Sequence, residues 1–366
     1  MNQILNVNYE GRPAYSIMLE PDFGKLAEAF GSLSMTNRRV MIITDDNVGA
    51  IYLEAVKNIF LSSAKAVESF VFPSGEGSKN LDTVGRCYEQ LIQAGFDRKD
   101  ILVALGGGVA GDLTGFVAAT YLRGISFIQL PTSLLAMVDS SIGGKTGVDF
   151  KAYKNMVGAF HQPKLVYMNL STLLTLPQAE YNSGMSEIVK HGLIKDARYY
   201  QWLKEHKEEI RRRSFDILLE MIRRSCEIKR EVVERDPKEL GERALLNFGH
   251  TIGHSVEKLK ELSYLHGECV SLGMAAASFL SLSRGMITKE EYEDILDTMI
   301  SFGQPVKVDG LSASEVYEVT RSDKKMDAQQ IRFVLLQGIG NAVIDTTVTK
   351  DEMLDAIHSI LEGITG

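Results

Sequence analysis

Residues 101–112 read ILVALGGGVAGD, and this stretch decides the fold. Its first five residues are apolar, as in a strand that is buried on both faces. The glycines Gly106, Gly107 and Gly108 follow, and a helical pattern begins at Ala110. A strand that turns through glycines into a helix offers free N–H groups to an anion, which is typical of a nucleotide-binding turn. The spacing is not GxGxxG, so these residues alone favour a tight turn without a ligand equally well.

The segments before and after this turn alternate between predicted strands and predicted helices. Short β-branched runs predict strands, and the segments between them have helical periodicity. Such alternation predicts a parallel, doubly wound sheet. We expect strands at 39–44, 66–72, 101–105 and 126–130, and helices at 52–61, 80–94 and 110–121.

Beyond residue 175 the pattern becomes mainly helical, with two short β-like runs about Gly338. The sequence therefore predicts an α/β protein with two domains. Residues 1–175 would form a Rossmann-like parallel-sheet domain, and residues 176–366 a mainly α-helical domain. We expect the later helices at 179–195, 196–209, 215–234, 243–262, 268–283, 289–302 and 351–361.

The composition excludes several classes of protein. The 366 residues are 45% hydrophobic and 24% charged, as in ordinary globular proteins. A formal net charge of −8 argues against a nucleic-acid partner. The N-terminus lacks an export signal and no apolar stretch is long enough to span a membrane, so we expect a cytoplasmic protein. Three separated cysteines without a CxxC pair are expected to be reduced.

The second half contains a carboxylate and several imidazoles that could hold a metal ion. His250 and His254 are four residues apart in NFGHTIGHSVE, so one helix face would present both. His266 opens the next helical segment, and Glu187 lies in GMSEIVKHG with His191 one turn beyond it. A carboxylate with imidazoles suits zinc or cobalt and leaves positions open for a substrate. The spacing does not choose among the four histidines.

Basic residues are concentrated near these motifs. Residues 139–155 read DSSIGGKTGVDFKAYKN, in which a Gly-Gly-Lys-Thr turn precedes Lys154 and Asn155. This pattern is similar to a loop that wraps an anion, although its frame is not that of a P-loop. One such charge is usually a solvated surface group, whereas the concentration favours a polyanionic substrate. The other basic candidates are Arg123, Lys190, Lys229, Arg243 and Lys324.

Several long segments resemble the 3-dehydroquinate synthase family, and together they cover nearly the whole chain in order. The resemblance implies a Rossmann-like NAD-binding domain and an α-helical metal-binding domain. It implies a lyase of the shikimate pathway that converts 3-deoxy-D-arabino-heptulosonate 7-phosphate into 3-dehydroquinate and phosphate, with NAD reduced and reoxidised in each turnover. The segments are GGGVAGDLTGFVAATYLRG, LPTSLLAMVDSSIGGKTGVDFKAYKNMVGAFHQP, GMSEIVKHGLI, RALLNFGHTIGH, LHGECVSLGM and SDKKMDAQQIRFVLLQGIG.

The resemblance also implies roles for individual residues. The metal ligands are Glu187, His250 and His266, so that His254 becomes an active-site group. The catalytic groups are Lys145, Lys190, Lys229, Arg243, Asn247 and His254. The residues that bind the substrate are Asp139, Lys145, Asn155, Lys229, Arg243, Asn247, Lys324 and, from the neighbouring subunit of a homodimer, Arg123. The residues that bind NAD are Asp45, Asn47, Glu76, Lys79, Gly107, Gly108, Asp112, Thr132, Asp139, Lys145, Lys154 and Thr175.

Three alternatives share part of this pattern. Another sugar-phosphate cyclase would have the same fold, but the GGKTGV segment and Arg243 favour a carboxylated substrate. An NAD- and metal-dependent polyol dehydrogenase would not need Lys154, Asn155 or the basic cluster, and would release its reduced cofactor. A non-catalytic binding protein would be expected to have lost part of the metal set, which this sequence retains.

Overall fold

The computed structural model describes residues 3–151, 153–261, 263–325 and 331–362, and the side chains of these residues except 323–325. The chain forms two compact units, Met1–Leu176 and Pro177–Gly366. We call them the N-terminal unit and the C-terminal unit. Within the described ranges, no helix combines the length and the apolar character needed to cross a membrane. Cys87, Cys226 and Cys269 are buried, and none of the three forms a disulfide bond.

A seven-stranded sheet forms the centre of the N-terminal unit, with the spatial order β1-β2-β9-β6-β5-β3-β4. Strands β1 and β2 are antiparallel, and the other neighbouring pairs are parallel. A separate antiparallel hairpin consists of β7 and β8. The strands are β1 (Ile4–Tyr9), β2 (Arg12–Glu20), β3 (Arg39–Asp45), β4 (Ala66–Phe72), β5 (Ile101–Gly106), β6 (Ser126–Pro131), β7 (Lys145–Phe150), β8 (Tyr153–Phe160) and β9 (Leu165–Asn169). The helices are α1 (Leu26–Ser32), α2 (Asp46–Leu61), α3 (Leu81–Gln93), α4 (Gly108–Thr120) and α5 (Thr172–Thr175).

The predicted parallel α/β core is confirmed, and all six residues of β5 are buried at its centre. Helix α2 begins earlier than predicted because the Asp45 side chain accepts a hydrogen bond from the Val48 backbone N–H and caps it. Residues 139–155, which the sequence likens to an anion-wrapping loop, consist mostly of a helical turn and two strands, and the binding of an anion there stays a prediction. Gly143 and Gly144 form the turn, and Lys145 already begins strand β7.

The order of the parallel strands creates a crevice at the carboxyl ends of β3 and β5. From β3 the chain moves outward to β4 and then returns to place β5 on the other side of β3. Connections on the two sides therefore leave the sheet in opposite directions. This switch point is where open α/β sheets bind ligands.

The C-terminal unit is mainly helical, as predicted, and it contains one small antiparallel β-hairpin. The prediction of one helix over 243–262 is wrong. A 3₁₀ segment, Glu242–Asn247, ends before Gly249, whose φ of +83° breaks the helix so that a new one begins at His250. The helices are α6 (Gln178–Lys195), α7 (Ala197–Glu205), α8 (Lys207–Arg211), α9 (Phe215–Arg235), α10 (His250–Leu259), α11 (His266–Ser283), α12 (Lys289–Ser301), α13 (Ala313–Lys325) and α14 (Lys350–His358), and the strands are β10 (Phe333–Leu336) and β11 (Ala342–Asp345).

Glycines allow α6, α10 and α11 to pack backbone against backbone. A Cβ atom on Gly273 of α11 would overlap the carbonyl oxygen of Gly249, just before α10. A Cβ on Gly253 would lie 2.6 Å from the carbonyl oxygen of Cys269, and one on Gly267 would overlap the backbone of Ser183 in α6. Any side chain at these positions would push the helices apart, since protein interiors contain no spare volume.

Arg284, at the end of α11, ties β11 and α14 to this helix. Its Nε and Nη2 donate to the two carboxylate oxygens of Glu352 at 2.7 and 2.9 Å, and Nη1 donates to Asp345 Oδ2 at 2.9 Å. Hydrogen bonds from Arg284 and from the Thr349 backbone lower the pKa of the Glu352 carboxyl from 4.5 to about 2. The stabilisation is therefore present above pH 4.5 and is lost as the pH falls towards 2.

We expect Glu352→Gln to lower the free energy of unfolding by about 1 kcal/mol at pH 7, because a charge-assisted hydrogen bond is replaced at a partly exposed site. The difference from the unmodified protein should shrink between pH 4.5 and pH 2, where the native carboxylate also becomes protonated. Urea unfolding at pH 7 and at pH 3 measures both values. Glu318→Gln, at an exposed and weakly paired site, is the control and should change neither. A difference independent of pH would contradict the prediction.

Candidate active site

The glycine turn lies at the switch point of the sheet. Gly107 precedes α4 without any side-chain cap, so the first N–H groups of this 13-residue helix point beyond the carboxyl end of β5. A Cβ on Gly106 would lie 2.6 Å from the Ala110 Cβ and 3.4 Å from Asp45 Oδ2 at the end of β3. Thr132, after β6, donates its N–H to the Gly106 carbonyl at 2.9 Å. A helix N-terminus bare of side chains fits the pyrophosphate of a dinucleotide.

A buried lysine links two of the predicted residue sets. Lys79 is 4% exposed, and its Nζ donates to Asp112 Oδ2 and to Asn155 Oδ1, both at 2.6 Å. Glu76 Oε1 lies 3.8 Å from the same nitrogen. Burial opposes the charge, but the carboxylates of Asp112 and Glu76 outweigh it and raise the pKa of Lys79. The structure thus joins Lys79, Glu76 and Asp112 from the predicted NAD set to Asn155 from the predicted substrate-binding set.

The remaining predicted residues of the N-terminal unit occupy loops and element ends. Thr175, at the end of α5, shares a 2.5 Å hydrogen bond with the Tyr52 hydroxyl. Asp139 lies in the π-helical turn Ala136–Ser140. The others are Asn47 in the first turn of α2, Lys145 at the start of β7, Lys154 in β8, and the exposed Arg123.

In the C-terminal unit, three helices each contribute one potential metal ligand. Glu187 is fully buried on α6, His250 is the first residue of α10, and His266 is the first residue of α11. The ligand atoms of these three side chains all lie within 4.8 Å of one another. The backbone packing of the three helices at glycines therefore produces a compact oxygen–nitrogen–nitrogen set.

The donor atoms fit a divalent metal ion. Both carboxylate oxygens of Glu187 are buried, and neither accepts a hydrogen bond from any described residue. Its carboxylate forms an ion pair with Lys190, and its Oε1 lies 3.9 Å from His250 Nε2. The Lys190 ammonium compensates for part of the cost of burying this carboxylate, and a dication would occupy the acceptor positions that remain. One carboxylate with two imidazoles suits zinc or cobalt.

His250 is held in the tautomer that a ligand requires. Its Nδ1 lies 3.2 Å from the Phe248 carbonyl oxygen, which can only accept, so Nδ1 carries the proton and Nε2 faces Glu187 with a free electron pair. Burial and the positive charge of Lys190 lower the pKa of His250 well below its usual value. The ring is therefore neutral at physiological pH, as metal binding demands.

The other two candidate histidines, His191 and His254, have different surroundings. His191 is buried with Nδ1 2.6 Å from Ser225 Oγ, and it joins no group of potential ligands among the described residues. His254 lies next to the trio, with ring centroids 5.0 Å from His250 and 5.9 Å from His266. The residue that the sequence analysis missed is Glu257, one helical turn after His254, which forms a second group with His254 and His266. Its position three residues after His254 indicates that the two side chains share a face of the helix.

Buried cations accompany the trio in the same unit. Lys190, Lys229 and Arg243 are 1%, 5% and 3% exposed, although such residues are seldom fully buried. The Arg243 guanidinium donates to the Pro237 carbonyl at 2.8 Å, and the Asn247 amide donates to Glu239 Oε1 at 2.8 Å. Cations held in the interior suit an anionic substrate. The side chain of Lys324 lies outside the described residues.

Comparison with known proteins identifies the family. The model "3-dehydroquinate synthase N-terminal" matches residues 69–183, and "3-dehydroquinate synthase C-terminal" matches residues 184–326. A 3-dehydroquinate synthase of Acetivibrio thermocellus is 42% identical over 357 residues, which are 98% of this chain and 99% of that protein.

Solved structures have the same fold. A 2-epi-5-epi-valiolone synthase of Streptomyces hygroscopicus, solved with NAD⁺ and Zn²⁺ bound, superposes with a TM-score of 0.88 at 28% identity, over 97% of this chain and 99% of that one. A 2-deoxy-scyllo-inosose synthase, solved with carbaglucose-6-phosphate, NAD⁺ and Co²⁺, has a TM-score of 0.82 at 23% identity over the same shares and supports the fold alone. The resemblance inferred from the sequence is confirmed: this chain belongs to the 3-dehydroquinate synthase family.

Proposed function

We propose that the chain is a 3-dehydroquinate synthase, a lyase that converts 3-deoxy-D-arabino-heptulosonate 7-phosphate into 3-dehydroquinate and phosphate. The observation that carries this proposal is the buried Glu187 carboxylate, which has no hydrogen bond from a described residue and lies among His250, His266 and the buried Lys190. The relative named 3-dehydroquinate synthase, 42% identical over almost the whole chain, supports the choice of substrate.

The cofactors of the proposed reaction would be held by two sets of residues. Glu187, His250 and His266 would hold zinc or cobalt, and the turn at Gly107 and Gly108 would hold NAD. When bound, NAD supplies a reversible hydride acceptor and the metal ion a Lewis acid for the substrate oxygens. The further residues proposed to bind NAD are Asp45, Asn47, Glu76, Lys79, Asp112, Thr132, Asp139, Lys145, Lys154 and Thr175.

Lys190 and His254 would assist the first proton transfer. Lys190 is paired with a proposed metal ligand, and His254 neighbours both proposed imidazole ligands, so each group is next to the site where a substrate hydroxyl must lose its proton. A proton acceptor has to lie within hydrogen-bonding reach of the group it serves. Lys145 would stabilise negative charge that develops on the substrate.

The two anionic ends of the substrate would be bound by separate sets of residues. Arg243 and Lys229 would hold the carboxylate, for which the planar guanidinium offers two parallel N–H groups. Burial strengthens these contacts, because the interior screens charges less than water does. The phosphate would be bound by Lys145, Asn155, Asn247, Lys324 and the Arg123 of a second subunit.

An assay of phosphate release tests the proposed reaction. Purified protein with NAD, zinc and the heptulosonate phosphate should release phosphate over many turnovers without net NADH, and chelator-treated protein should release none. A heptulose 7-phosphate that lacks the carboxylate is the matched control substrate and should react far more slowly, because the cationic groups would lose their partner. Absence of phosphate would contradict the proposal. Accumulation of NADH would favour a polyol dehydrogenase, and faster turnover of the control substrate another cyclase.

We also propose that two copies of the chain form a homodimer in which Arg123 reaches the neighbouring substrate. The β7–β8 hairpin exposes four large apolar side chains, and such patches mark protein interfaces. Arg123 is exposed and follows Leu122, and both residues have positive φ values, 68° and 50°. A segment held in this costly conformation is often functional. The exposed apolar residues are Phe150, Tyr153, Met156 and Phe160.

The cytoplasmic location expected from the sequence remains a prediction.

Mixing two inactive variants tests the sharing of Arg123. We expect Arg123→Ala and Glu187→Gln to be nearly inactive alone. After exchange of subunits, about a quarter of the sites would combine an intact Glu187 with an intact Arg123 from the partner chain, and activity should return to that level. A mixture of Glu187→Gln and Arg243→Ala is the control. Both residues would act within their own chain, so exchange of subunits should not restore activity. No recovery of activity with Arg123→Ala, in a sample shown to contain mixed dimers, would contradict the shared site.

A further inference from the structure

Glu257 on α10 has no role in the proposed reaction, although it is 5% exposed and lies beside the proposed metal ligands. Its Oε1 atom is 3.6 Å from Nδ1 of His266. The two residues come from different helices, and the contact exists because α10 and α11 pack closely at Gly253. A buried carboxylate is retained at a cost in solvation, so its placement against an imidazole calls for a physical reason.

An imidazole that binds a metal through one nitrogen must have its ring fixed through the other. A carboxylate or carbonyl that accepts the second N–H fixes the tautomer and orientation, and it makes the ligand more basic. His250 has such an acceptor in the Phe248 carbonyl oxygen. Glu257 is the matching candidate for His266, because its Oε1 lies 3.6 Å from Nδ1, within reach of a small adjustment, and would leave Nε2 for the metal.

We propose that Glu257 is a positioning residue that fixes the tautomer and ring orientation of His266 for metal binding. This inference rests on the proposed metal site at Glu187, His250 and His266. The role goes beyond the ligands themselves: Glu257 does not bind the ion, but its negative charge strengthens the bond that His266 forms.

The group His254, Glu257 and His266 is also compact enough to hold a cation itself. Such an ion would share His266 with the ion of the trio, and two dications on one imidazole repel each other strongly. His254 is moreover exposed, so this group is open to solvent on one side. These observations favour the positioning role, and the metal stoichiometry distinguishes the two.

The test is a zinc titration of metal-free protein against a competing chromophoric chelator. We expect Glu257→Gln, which keeps the shape but removes the charge, to bind one zinc ion per chain with about 10- to 100-fold lower affinity. Glu257→Asp keeps the charge and should recover part of the lost affinity. Ser255→Ala on the same helix is the matched control. Its hydroxyl bonds to Thr320 Oγ1 at 2.7 Å, so its loss should affect stability but not zinc affinity.

Three results would overturn the inference. They are equal zinc affinity of Glu257→Gln and the unmodified protein, an equal loss in Glu257→Gln and Ser255→Ala, and two zinc ions per unmodified chain with only one in Glu257→Gln. The last would make Glu257 a ligand of a second ion. Absence of zinc binding by the unmodified protein is a separate result, which would contradict the proposed metal site itself.

Discussion

Glu187→Gln is expected to abolish tight zinc binding and to slow phosphate release by about a thousandfold. Lewis-acid assistance contributes several kcal/mol to a transition state, and each 1.36 kcal/mol corresponds to a factor of ten. The amide has nearly the same volume as the carboxylate, so the packing of α6 is preserved while the negative charge is lost. Zinc content after dialysis and the initial rate of phosphate release measure the two effects.

The same substitution leaves the ammonium group of Lys190, 1% exposed, without its ion-pair partner Glu187. Breaking a buried ion pair costs about 3–5 kcal/mol, so the metal-free variant should also unfold at lower denaturant concentration. Glu205→Gln, on the exposed face of α7, is the control for the chemical change alone. A Glu187→Gln variant that retains zinc and activity would contradict the proposed ligand set.

Gly273→Ala is expected to lower the free energy of unfolding by about 3 kcal/mol or more, at the upper end of what overpacking costs. The added methyl group would overlap the carbonyl oxygen of Gly249, which is backbone and cannot rotate away. Helices α10 and α11 would have to separate, and His250 and His266 stand at their first residues. Zinc affinity should therefore fall together with stability. Urea unfolding and the zinc titration measure both.

Gly85→Ala is the matched control, because this glycine lies inside α3 with no atom within 4 Å of the added methyl group. Its expected effect has the opposite sign, a gain of about 0.5–1 kcal/mol, since alanine restricts the unfolded chain and favours the helix. If Gly273→Ala were as stable as the unmodified protein, the backbone contact between α10 and α11 would not be tight.

Local sequence patterns predicted strands β3 to β6 of the parallel sheet but not the other strands of the N-terminal unit. Strand β5 was predicted because five apolar residues followed by glycines are informative without any knowledge of the partner strands. The strands β1, β2 and β9 and the β7–β8 hairpin were not predicted. Their burial is mixed or depends on distant pairing, as in β8, where exposed residues predominate.

The site was predictable as a set of residue types but not as a geometry. Sequence spacing could not decide whether His191 or His250 is a ligand, because spacing does not show which face of a helix meets the other ligands. The fold decides, since His191 turns to Ser225 on α9 while His250 faces Glu187. Glu257 could not be identified beforehand either. Its spacing indicates a shared face with His254, but its relation to His266 depends on the crossing of α10 and α11.

The contacts among Gly249, Gly253 and Gly273 also bear on how such a protein can evolve. They fix the separation of the first residues of α10 and α11 by main-chain contact rather than by the size of neighbouring side chains. Mutations that change the size or charge of neighbouring side chains can therefore accumulate while the imidazoles keep their spacing. Substrate preference and the spacing of the metal ligands can therefore change through substitutions at different positions. A new specificity can be selected through side chains while the ligand geometry stays the same.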